Sequence, residues 1–86
     1  MEFIVTGRVQ GVWFRASAQK VARRLGISGW IRNRTDGAVE GCAAGNAESL
    51  DAFRDWLSRG PASAKVTEVE TRPIDEPEHR EGFAVL

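Results

Sequence analysis

Eighty-six residues of ordinary apolar content (42%) suit one domain with a single core, and exclude both a disordered chain and a fibrous repeat. Twelve basic residues balance twelve acidic ones, so nucleic acid is not the expected partner; the lone Cys42 excludes a disulfide framework and a cysteine-rich metal site. No segment has the apolar length to cross a bilayer and the amino terminus carries no signal-peptide pattern, which makes a cytoplasmic protein without membrane contact the expectation.

In chain order, residues 2–8 are short, apolar and β-branched and predict a strand ending at Gly7-Arg8. Phe14, Ala18, Val21, Ala22 and Leu25 then recur at helical spacing, and Gly26 closes that helix. Ile27–Arg34 predicts a second strand, and Thr35-Asp36-Gly37 a hairpin into a third over Ala38–Ala44. Asn46 is the expected N-cap of a second helix that buries Leu50, Phe53 and Leu57, with Trp56 flanking, until Gly60-Pro61 stops it. Ala64–Arg72 predicts a fourth strand. A polar loop with Pro73, Pro77 and acidic residues precedes a terminal strand, Phe83–Leu86. Cys42 is expected as a small buried hydrophobe, Trp30 as a cover for the open sheet face, and His79 as a solvent-exposed loop residue. Lys20, Arg23 and Arg24 suit a solvated helix face.

Strand, helix, strand, strand, helix, strand and a tail strand make an α+β chain. The natural closure is the ferredoxin-like βαββαβ arrangement, two helices on one face of an antiparallel sheet, with residues 1–86 forming one domain.

The two helices begin differently. The second carries Asn46 at its start, Glu48 and Asp51 early, and Arg54 and Arg59 late, all favourable for the helix dipole. The first begins Gln10-Gly11-Val12-Trp13-Phe14, with no capping side chain and no acid in its first turn. Arg15 instead puts a cation at the positive end of the dipole. Unpaired backbone donors beside a misplaced cation suit an anion, phosphate above all. Local violations of this kind concentrate at functional sites.

Two stretches resemble the signatures of the acylphosphatase family: Gly7-Arg8-Val9-Gln10-Gly11-Val12-Trp13-Phe14-Arg15, and Gly29-Trp30-Ile31-Arg32-Asn33-Arg34-Thr35-Asp36-Gly37-Ala38-Val39-Glu40. Gly60-Pro61, Ala64-Lys65-Val66 and the ending Phe83-Ala84-Val85 are similar to the family too, so the resemblance runs along the whole chain. It implies hydrolysis of the carboxyl–phosphate bond of small-molecule acylphosphates using neither metal nor organic cofactor; the small size and balanced charge separately make a monomer the expectation. The resemblance also implies that Arg15 binds the phosphate, or a sulfate in its place, that Asn33 positions the attacking water, and that the loop Gln10, Gly11, Val12, Trp13 and Phe14 supplies backbone donors. Ser17-Ala18 stands where many relatives place an aromatic and then a threonine, so no hydroxyl role carries over to position 18.

These residue types suit that chemistry. The leaving group is a carboxylate that departs without a proton, and the loose transition state of phosphoryl transfer asks mainly for positioning and fixed dipoles. Arginine offers a planar fork for two oxygens, and an asparagine amide can orient water without deprotonating it. Taken singly, Arg15 is equally a solvated helix residue, Asn33 a turn residue, Gly11 a tight turn, and Trp13 and Phe14 packing residues; only their joint occurrence at this spacing marks a site. One alternative keeps the anion pocket without turnover, as a phosphate-binding or regulatory ferredoxin-like domain. Another, an RNA-recognition module, shares the element order but stacks bases on central-strand aromatics, and Ala38–Ala44 has none.

Overall fold

Along Glu2–Arg8 the side chains of Phe3 and Val5 are buried while their neighbours are not, the period-two pattern of a strand with one face on a core. The computed structural model, which describes residues 1–74 and 81–86, takes this strand as β1 (Glu2–Arg8) and continues through α1 (Phe14–Arg24), β2 (Ser28–Asn33) and β3 (Val39–Ala44). After α2 (Ala47–Leu57) come β4 (Lys65–Arg72) and β5 (Phe83–Val85). His79 lies outside the described residues. The expected elements are all present, each within two residues of its predicted ends.

The sheet runs in the order β4-β1-β3-β2-β5. The first four strands pair antiparallel, as expected for the ferredoxin-like fold, and β5 joins β2 in parallel, with Ile31 opposite Val85. The sheet is therefore mixed. The carboxyl ends of β1, β2 and β5 consequently lie at one end of the sheet, and that end carries the loop leading into α1.

α1 packs on β2 and β5, α2 on β4, and the two helices touch. Between helices and sheet sits an aromatic core. Phe53 of α2 meets Phe3 edge-on at 5.8 Å and Phe83 at 5.7 Å, and Phe14 at the start of α1 packs on Trp56 at 5.3 Å. On α2 only Phe53 and Leu57 are fully buried; Leu50 and Trp56 pack half-buried against the same cluster.

Cys42 departs from its expected burial. Val39, Gly41 and Ala43 occupy the buried phase of β3, so Cys42 falls on the opposite, open face and is half-buried. Trp30 shares that face, where the guanidinium carbon of Arg32 stands 5.0 Å from its ring centroid.

Candidate functional site

β1 leaves the sheet through a register irregularity between Thr6 and Gly7. Gly7 has φ 126°, and a Cβ there would collide with the Lys65 carbonyl, so the bend that aims the chain toward α1 needs glycine. The following loop, residues 9–13, is held on both flanks. Val9 is buried, and the Gln10 side-chain amide donates to the Arg34 and Ala38 carbonyls at 2.7 and 2.9 Å. On the other flank the Ser63 hydroxyl donates to the Val12 carbonyl at 2.7 Å. Phe14, buried against Trp56, then fixes where the helix begins.

Between these anchors the backbone enters the left-handed region twice. Gly11 has φ 73° and Trp13 φ 64°, the latter being the one non-glycine residue with positive φ among the described residues. Left-handed residues at such spacing are a feature of loops whose N–H groups cradle anions. Trp13 is also the N-cap of α1, and no side chain caps that end. The first helical bond, Ser17 N–H to the Trp13 carbonyl, is 3.0 Å; among the described residues the amides of Gly11 through Ala16 have no acceptor. α2 provides the contrast: Ser49 N–H donates to Asn46 Oδ1 at 2.8 Å, with Glu48 in the first turn.

Arg15 stands half-buried in the first turn of α1, and its Nη1 donates to the Leu86 carbonyl at 3.0 Å. One of five guanidinium donors is thereby used, which fixes the side chain against the end of β5 and leaves the fork open to an anion. Leu86 N–H in turn donates to the Ile31 carbonyl at 2.9 Å, two residues before Asn33. Asn33 closes β2 opposite Val39 and is exposed. It has the parity of Gly29 and Ile31, so it belongs to the helix-covered side of the sheet, at the end where the loop lies. Arg15, Asn33 and the Gly11–Phe14 backbone thus share one end of the molecule. The Gln10 side chain does not join them; it is turned inward to the hairpin.

That hairpin is built as the Asp36-Gly37 signal predicts. Arg34 N–H donates to the Ala38 carbonyl at 2.8 Å, and Asp36 Oδ1 accepts from Ala38 N–H at 3.1 Å. This amide, with Arg34 beside it, holds the Asp36 carboxyl below its ordinary range.

Two of the surface cavities carry arginines beside apolar walls. The larger, about 830 Å³, lies over Trp30, Arg32, Glu40, Cys42 and Arg72, and most of its charge is paired across the sheet: Arg32 with Glu40 at 2.6 Å and Arg72 with Glu2. The other, about 310 Å³, is walled by Val9, Gly11, Trp13, Phe14, Arg15, Ala16 and Val85, and joins unpaired amides to a cation with no carboxylate side chain in salt-bridge reach among the described residues. The second is the candidate anion site. Sequence reasoning missed Ser63, the inward side chain of Gln10 and the Leu86 contact, because each depends on a carbonyl brought close only by folding.

The family model for acylphosphatases matches residues 1–85. An acylphosphatase of Methylococcus capsulatus is 51% identical over 83 residues, covering 96% of this chain and 90% of that protein. One of Nitrosococcus oceani is 48% identical over 75 residues, covering 87% and 84%. The structure of an acylphosphatase from Coxiella burnetii superposes with a TM-score of 0.94 at 38% identity, covering 99% of this chain and 88% of that one.

Proposed function

The chain belongs to the acylphosphatase family and hydrolyses acylphosphates, and we propose that Arg15 with the loop amides holds the phosphoryl group while Asn33 orients the attacking water. The observation carrying this reading is the uncapped start of α1, where unpaired amides and a tethered guanidinium face the same cavity. Backbone dipoles there are fixed before substrate arrives, so little reorganisation accompanies the charge developing on the phosphoryl oxygens. Arg15 adds a full charge and a two-oxygen grip.

Asn33 accepts a hydrogen bond from the water and aims its lone pair at phosphorus. The water proton passes to a phosphoryl oxygen, the P–O bond to the acyl group breaks with its electron pair, and a carboxylate leaves without a general acid. Inorganic phosphate, the product, occupies the same cradle.

Steady-state hydrolysis of acetyl phosphate by three proteins tests the assignment. Arg15→Ala loses roughly 10³–10⁵ in turnover, by analogy with arginines that stabilise phosphoryl transfer, and inhibition by phosphate weakens with it. Asn33→Ala loses on the order of 10²-fold in kcat, with phosphate inhibition kept, because it removes orientation and no charge. A wild-type rate in Asn33→Ala removes water positioning from the mechanism. Equal losses of kcat and phosphate affinity in that variant would assign Asn33 to the anion instead.

A further inference from the structure

Three large apolar side chains are exposed among the described residues; two of them wall this cavity and the third is the next residue along the chain. Trp13 is 79% exposed and walls it; Val85 walls it too; Leu86 follows, its carbonyl bonded to Arg15. Exposed apolar groups scattered singly need no explanation, but their collection beside one cation does. The tryptophan is also a non-glycine residue in the left-handed region, a conformation that disfavours side chains and that accompanies function when it persists. That backbone turns its indole away from the core: Phe14, the next residue, takes the buried place against Trp56.

We propose that Trp13, with Val85, forms the acyl-recognition surface of the enzyme and selects acylphosphates with flat apolar acyl groups, such as aryl carboxylic–phosphoric anhydrides, over small acyl groups. The proposal rests on the phosphoryl site assigned above to Arg15 and Asn33. In-line displacement puts the departing acyl oxygen across phosphorus from the attacking water. Trp13 and Val85 wall the cavity that Arg15 also lines, and Val85 lies opposite Ile31 of the strand that ends at Asn33. A phosphoryl group on Arg15 and the loop amides lies in a cavity that the indole walls, so an acyl group carried on it comes within reach of that face. Indole offers a broad, rigid face at small entropic cost and stacks on an aryl ring; an acetyl or carbamoyl group covers little of it.

The test is the ratio of kcat/KM for benzoyl phosphate to that for acetyl phosphate, a quantity that cancels any general damage to the loop. Trp13→Ala lowers this ratio about tenfold, the scale on which apolar pockets discriminate, and Trp13→Phe recovers most of it. Inhibition gives the binding counterpart. Phenylphosphonate inhibits the wild-type enzyme more tightly than methylphosphonate, and the gap closes in Trp13→Ala. An unchanged ratio in Trp13→Ala, or equal losses on both substrates, overturns the acyl role while leaving the phosphoryl site standing. If Arg15→Ala instead keeps wild-type inhibition by methylphosphonate and inorganic phosphate, the phosphoryl site itself falls and the acyl surface with it.

Discussion

Gln10 sits inside the loop that supplies the amides, yet its side chain bridges two carbonyls of the β2–β3 hairpin, 24 and 28 positions away in sequence. Both carbonyls also accept backbone N–H groups, Ala38 from Arg34 and Arg34 from Gly37, so removing the glutamine amide leaves neither wholly unpaired. The phosphate half of the site keeps its Ser63 anchor and buried Phe14, while Asn33 loses its tie to that half. Gln10→Ala should therefore lower kcat by roughly ten- to a hundredfold, the scale of a misplacement near 1 Å, with a much smaller change in KM and in inhibition by phosphate. The kinetics of acetyl phosphate hydrolysis check this; a raised KM with kcat unchanged would place Gln10 in uniform substrate binding. At this scale the sequence is informative about residue type and blind to aim. Arg15 stood out because a cation in an uncapped first turn breaks a local rule. The Gln10 amide breaks none, and its acceptors come within reach only once β2 and β3 have paired.

Elements carry a different trade. α2 is capped by Asn46 and begins with Glu48, whereas α1 has neither device and starts with a cation. That weakness was fully legible, since capping and dipole preferences act within one turn of the chain. Supplying the missing acid should reverse it. Ala16 is exposed in the first turn of α1 and walls the anion cavity. Ala16→Glu should stabilise the helix by about 0.3–1 kcal/mol through the dipole, raising Tm. The same carboxylate repels a phosphoryl dianion, so KM for acetyl phosphate and the inhibition constant of phosphate should both rise several-fold. Thermal unfolding and steady-state kinetics on one preparation suffice. A variant that gained stability at no kinetic cost would show that the start of α1 does not meet the substrate.

For the molecule as a whole, the antiparallel βαββαβ frame follows from apolar periodicity and turn residues, but the position of the last strand does not. Periodicity marks Phe83–Val85 as a strand without naming its neighbour; parallel pairing with β2 is decided by where α1 and the sheet leave an edge open. The consequence reaches the site. Phe83 is buried against Phe53 at 5.7 Å, its carbonyl accepts from Gln19 of α1 at 2.9 Å, and the strand it anchors ends at the carbonyl that tethers Arg15. Removing its ring should cost about 3–5 kcal/mol, toward the lower end because an edge strand can settle inward. Urea unfolding of Phe83→Ala should show the midpoint falling with the slope unchanged. Activity should fall as well, under conditions where the variant remains folded, because Arg15 loses a fixed partner although no site residue has been touched. Full activity alongside the expected stability loss would mean that Arg15 is held by its own helix alone and that β5 serves only the core.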